Sequence, residues 1–283
     1  TLRRAEVSLA RLEHPEALAL FGRALQALDA LGDLRGQIEA RAGMAEAHYY
    51  LGNRDQAAEA YEENLRIAQQ LGDELTAAEA HWGLGYVMLW QGRLERAHHH
   101  LDAMRELLTR RGGAYRLADA YNGLGEVARL SGRLAEAERF YREALRLNDA
   151  FGTRGVLIRR INILLCRIER DAPEVVEVEL LDVLREADRL DNASVATMAL
   201  AALLRCLAMR QAWDEAPPFL ARFVAHQEQR PFIDGDLATN LSYVARLAAQ
   251  AGRSREAETA VGYAREIWTK LGRHAELRAL ADL

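Results

Sequence analysis

The residues of this 283-residue chain that could do chemistry are few, and their spacing argues against a catalytic centre. Gly123-Leu-Gly125-Glu-Val-Ala128 spells the G-x-G-x-x-A of a dinucleotide-binding turn. That turn requires a strand before it, and this segment lies inside a helical pattern, so close helix packing accounts for the glycines. His98, His99 and His100 are consecutive, each turned about 100° from the last on a helix, so they cannot converge on one ion as an i, i+4 pair can. A solvated face is the expectation for them. Cys166 and Cys206 recur at one repeat length and belong on neighbouring helices about 9 Å apart, beyond disulfide reach, so free thiols are expected. The patterns Asn192-Ala-Ser194 and Asn240-Leu-Ser242 matter only in a secreted chain, and no Walker loop, HExxH, CxxC or nucleophile elbow occurs. The segment reads as non-enzymatic, with no cofactor and no metal.

Composition narrows the partner. With 37 Lys and Arg against 42 Asp and Glu, the net charge of −5 offers no general attraction to phosphate backbones, which excludes nucleic acid as the expected ligand. There is no apolar run of the roughly 18 residues a membrane helix needs, nor a secretory leader pattern, so no membrane insertion and a cytoplasmic location are expected. A hydrophobic fraction of 50% is ample for a core.

The positions are organised by a repeat. Leu31-Gly32, Leu71-Gly72, Arg111-Gly112, Phe151-Gly152 and Leu271-Gly272 share a 40-residue register, with Asn192 in one vacancy and Phe232 breaking the series. A second series on the same period is Gly52, Gly92, Gly132 and Gly252, with Leu12, Ala172 and Ala212 in the remaining slots. Two turns per repeat imply two helices, each ending in a left-handed residue that costs Gly little and that Asn tolerates. Asp33, Asp73 and Thr153 follow the first series, where a side-chain oxygen caps the next helix. Small and large apolar residues four apart, Ala17/Phe21, Ala57/Tyr61, Ala97/Leu101, Ala137/Tyr141 and Ala257/Val261, mark one helical face.

No segment alternates with period two, so no strand is expected. The first helices of the pairs, called A, fall at 34–51, 74–91, 115–131, 154–170, 193–210 and 234–251. The second, called B, fall at 15–31, 54–71, 94–111, 134–151, 173–190, 213–230 and 254–271, with a closing helix within 273–283. Residues 1–12 align with the second half of an A helix, which predicts that the chain starts inside a repeat and that something precedes Thr1. The pattern describes one domain with repeats at 1–33 (partial), 34–73, 74–114, 115–153, 154–192, 193–233 and 234–272. Signature residues thin out between 155 and 233, and Pro217-Pro218 should delay or kink its helix.

Leu84-Gly85 followed by Ala97 and Leu101, and Tyr121, Leu124-Gly125, Ala137 and Tyr141, resemble the tetratricopeptide pattern W-x2-L-G-x2-Y followed by A-x3-F. The resemblance covers nearly the whole chain and departs from the family in period, 40 in place of 34, as in the long-helix variety of kinesin light chains. It implies an all-α, right-handed α-solenoid of about seven repeats. GLGEVARLSGRLAEAERFYREAL and AGRSREAETAVGYAREIWTKLG are similar to repeat regions that follow the catalytic domains of large bacterial serine/threonine kinases and signalling ATPases. In that family ligands lie in a concave groove lined by A helices. Carried over residue by residue, the groove positions are Glu39, Glu46, Tyr49, Trp82, Tyr86, Asn122, Glu126, Arg129, Arg159, Asn162, Cys166, Ser242 and Arg246. Asn122 and Asn162 share a slot in consecutive repeats, where an amide can pair with a peptide backbone. Trp82 and Tyr86 would supply an aromatic anchor, or equally pack the stack, and Arg129 and Arg159 would meet acidic groups.

The resemblance implies a non-catalytic peptide- or protein-binding module of a larger cytoplasmic signalling protein. Two alternatives stand beside it. One is an array that contacts its own upstream catalytic domain or self-associates. The other is a small-ligand sensor, suggested by the low polarity near Cys166, Cys206 and Met209.

Overall fold

The computed structural model describes residues 2–11, 13–111, 114–151 and 155–281, with the side chains of 114, 115 and 148–151 left aside. Every regular element among the described residues is a helix. In chain order these are α1 (Leu2–Ala10), α2 (His14–Leu31), α3 (Leu34–Tyr50), α4 (Arg54–Leu71), α5 (Glu74–Trp90), α6 (Leu94–Arg111), α7 (Ala114–Leu130) and α8 (Leu134–Phe151). There follow α9 (Val156–Arg167), α10 (Pro173–Arg189), α11 (Ala193–Met209), α12 (Ala216–Gln229), α13 (Gly235–Gln250), α14 (Ser254–Lys270) and α15 (His274–Ala279). Successive helices pack as antiparallel pairs, and they group into two compact units, Thr1–Gly152 and Thr153–Leu283.

The punctuation works largely as the spacing implies. Gly32, Gly52, Gly72, Gly92, Gly132, Gly252 and Gly272 all adopt left-handed backbone, with φ between 65° and 78°. The Asp33 carboxylate accepts from the Gly36 N–H at 3.0 Å and that of Asp73 from the Thr76 N–H at 3.2 Å. Leu12, Gly112, Gly152 and Thr153 lie outside the described residues.

Asn192 departs from expectation. The left-handed residue there is Asp191, at φ 49°, while Asn192 caps α11 by accepting from the Val195 N–H at 3.2 Å. Gln211, at φ 58°, likewise takes the turn one residue before Ala212. The register has therefore slipped by one residue through α11, and Gly252 restores it. At Phe232, where glycine is missing, the buried Gln227 amide does the joining: it donates to the Phe232 carbonyl at 3.0 Å and accepts from the Phe232 N–H at 2.7 Å. Pro217-Pro218 delays its helix, which begins at Ala216 in place of 213. Helix α9 stops at Arg167, whose guanidinium reaches both Asp171 and Glu179 at 2.6 Å.

In the N-terminal unit the pairs interlock through size complementarity. Phe21, Tyr61 and Leu101 on B helices press against Gly43, Gly83 and Gly123 of the following A helices. Leu101 and Tyr141 also press on Gly85 and Gly125 of their own A helices, where an added Cβ would lie 2.6 and 2.5 Å from the side chain. This is the role expected for Gly123 and Gly125. In the C-terminal unit α9 to α12 contain no glycine, and α11 is buried without interruption from Val195 to Ala208. It acts as a central helix against α9, α10, α12 and α13.

The histidine run is not a uniformly solvated face. His99 is exposed, but half-buried His100 faces His81 of α5, with their Nδ1 atoms 3.0 Å apart. Burial, then His100 and His99, lowers the His81 pKa from 6.5 to about 4. The folded value lies below the unfolded one, so the stability that neutral His81 contributes is complete above about pH 6.5 and is lost as pH falls through about 4. A proton titration followed by NMR should place His81 near pH 4, and His81→Phe should make acid unfolding less steep over that window; an ordinary histidine midpoint would refute the packing described.

Two substitutions should move thermal stability in opposite directions. Gly125→Ala forces a Cβ into the Tyr141 ring and should lower the melting temperature, at a cost of about 1–3 kcal/mol. Gln211→Gly relieves a left-handed non-glycine residue and should raise it, by about 1 kcal/mol.

Candidate functional site

A hollow of about 330 Å³ opens on the A-helix side of the N-terminal unit. Its buried floor is made by Phe21 and Tyr61, the side chains that fill the glycine notches, together with Asn64 of α4 and Ala80 of α5. Its rim carries the exposed Glu6 of α1, Glu39 and Glu46 of α3 and Glu79 of α5, with half-buried Trp82 and Arg116 of α7. The A helices place these groups together because residues seven apart, such as Glu39 and Glu46, fall on one helical face.

The electrostatics are uneven. The carboxylates of Glu6, Glu39 and Glu46 have no ion-pair or hydrogen-bond partner among the described residues, whereas Glu79 lies 3.4 Å from Arg116. Arg116 also approaches Asp119 at 3.8 Å and stands over the Trp82 ring at 5.8 Å. On the floor, the Asn64 amide nitrogen donates to the Ile38 carbonyl at 2.9 Å, while its side-chain oxygen is buried and finds no donor. Tyr61 is held protonated, its pKa raised first by burial and then by Glu46.

Of the expected groove positions, Glu39, Glu46 and Trp82 line the hollow. Trp82 also packs on the core formed by Ala78, Met104, Leu108 and Ala120, and tilts against Tyr86 at 5.3 Å. Tyr86 accepts from the Asn122 amide at 3.2 Å, and Asn122 itself is buried. Glu126, Arg129 and Tyr141 form a network. The Arg129 guanidinium reaches Glu126 at 2.6 Å and donates to the Tyr141 hydroxyl at 3.3 Å, while that hydroxyl donates to Glu126 at 2.8 Å. Tyr141 is raised well above an ordinary phenol, mainly by burial and next by Glu126. Tyr49 stacks on Trp90 with centroids 3.8 Å apart.

Arg159 and Asn162 belong to the C-terminal unit, where both are buried on α9. Polar A-helix groups of that unit largely engage one another. Arg205 lies 3.2 Å from Glu169 and 3.8 Å over the Tyr243 ring, Arg246 approaches the same ring at 5.4 Å, and Ser242 accepts from the Trp268 indole at 3.3 Å. Cys166 and Cys206 are free and buried, and burial pushes the Cys206 thiol up to about 12. A smaller hollow of about 200 Å³ lies between α10, α11 and α12, beside Asp188, Asn192 and His226.

Glu6, Asn64, Glu79 and Arg116 were not anticipated. One signal for the acids was in the sequence: Glu6 and Glu46, and Glu39 and Glu79, each repeat at 40 residues. Asn64 had none, since it belongs to a B helix and only the packing brings it to the floor. Among the described residues no helix is long and apolar enough to cross a membrane, and no group of three or more metal-ligating side chains converges.

The family model of the tetratricopeptide repeat matches residues 76–150. No curated protein sequence matches the chain. Among solved structures, a signal transduction ATPase with numerous domains and a tetratricopeptide repeat sensor, from Pyrococcus horikoshii, aligns over 99% of this chain at 15% identity and TM-score 0.70. The chain spans 43% of that protein. A Rap protein complexed with competence and sporulation factor aligns over 95% of this chain and 74% of its own, at 14% identity and TM-score 0.70. NprR in complex with its cognate peptide NprX aligns over 99% and 81% respectively, at 14% identity and TM-score 0.71. At these identities the likeness is one of fold. Residues 76–150 thus match the tetratricopeptide repeat by sequence, and nearly the whole chain shares the fold of these repeat proteins.

Proposed function

We propose that the chain is a non-catalytic binding module that holds a peptide or an extended protein segment against the A helices of its N-terminal unit. The hollow bounded by Glu39, Glu46 and Trp82 carries this reading, because it joins an apolar floor to polar rim groups on pre-formed helices. Two relatives in fold, the Rap protein and NprR, are described in complex with competence and sporulation factor and with a cognate peptide respectively, which supports a ligand of this kind. The module belongs, on this reading, to a larger cytoplasmic signalling protein of the kinase or signalling-ATPase type. The ATPase relative, whose repeats are called a sensor, supports that placement.

Selection of a random peptide library on the chain should enrich ligands of micromolar affinity. Their binding should slow amide exchange in α3 and α5, and Trp82→Ala should weaken it about tenfold or more with unchanged helical circular dichroism. Failure to enrich any peptide, or protection confined to other helices, would defeat the proposal.

A further inference from the structure

The hollow of the N-terminal unit is rich in acceptors and poor in donors. Glu6, Glu39 and Glu46 present carboxylates with no partner among the described residues, and Glu79 shares the cation beside it, Arg116, with Asp119. Apolar walls stand between this rim and the floor, so a side chain that enters must carry a hydrophobic stem and a terminal donor. At the floor, Asn64 is 3% exposed and its side-chain oxygen has no donor. A buried acceptor left unpaired is costly, and a ligand N–H that reached it would recover that cost on binding. Both observations call for the same chemistry from different parts of the hollow.

We infer, building on the peptide-binding reading above, that this hollow selects a basic side chain, arginine or lysine, within an extended peptide. The alkyl stem lies along Phe21 and Tyr61 and the charged head meets Glu39 and Glu46. Arg116 and the protonated Tyr61 hydroxyl do not reverse the sign, since the carboxylates outnumber the cation. An acidic peptide would meet net repulsion, since four carboxylates line the hollow against one guanidinium. Arg129, the basic group expected to attract acidic ligands, does not line the hollow and is occupied by Glu126 and Tyr141.

The test is the same library selection carried out on the whole chain, followed by affinity measurement of the enriched peptides as synthetic, uncharged-terminus versions. The inference expects a recurrent Arg or Lys. It expects replacement of that residue by Gln, or Glu39→Gln with Glu46→Gln in the protein, to weaken binding about tenfold or more. Glu62→Gln, an exposed change on α4 outside the hollow, should leave affinity unchanged, and high salt should weaken the wild type more than the double variant. Enriched peptides without a basic residue, or ones insensitive to the double variant, would overturn the charge selection and leave peptide binding intact. Enrichment of none would overturn both.

Discussion

A single steric arrangement organises the N-terminal unit: a bulky side chain from each B helix lies in a notch made by an A-helix glycine. Phe21 against Gly43, Tyr61 against Gly83 and Leu101 against both Gly85 and Gly123 leave no room for a Cβ at those glycines. The backbones can approach closely only because the A helix lacks a side chain where the B helix carries its largest one. Helix spacing and the direction in which each pair meets the next follow from this, and so does the depth of the hollow. Phe21 and Tyr61 are at once the filling of the notches and part of the hollow's floor. The segment matched by the tetratricopeptide family model, residues 76–150, contains both contacts of Leu101.

The C-terminal unit solves the same stacking problem with different residues. Its helices α9 to α12 have no glycine, and α11 is surrounded by Leu, Val, Ile and Ala from four neighbours. Volume is shared more evenly between the facing helices. The turns tolerate a one-residue slip, since Asp191 and Gln211 accept left-handed backbone at modest cost and Gln227 replaces a missing glycine with two hydrogen bonds. The polar A-helix groups described there pair largely with one another. The N-terminal unit carries Glu6, Glu39 and Glu46 around its hollow with no partner among the described residues.

The sequence by itself determined the helix count per repeat, the caps at Asp33 and Asp73, the glycine turns and the packing role of Gly123 and Gly125. These are local or strictly periodic properties, set by backbone preference and by one residue's volume. The family resemblance put Glu39, Glu46 and Trp82 among the expected groove positions, and all three line the hollow. Tertiary structure decided which of the groove's polar groups are spent within the protein. Nothing in the order of residues states that Arg129 is held by Glu126 and Tyr141, that Asn122 donates to Tyr86, or that His100 turns to His81, because each bond joins residues on different helices or depends on what packs above them. Asn64 belongs to the floor for the same reason: its amide reaches the Ile38 carbonyl on α3, so its place depends on how α3 and α4 pack.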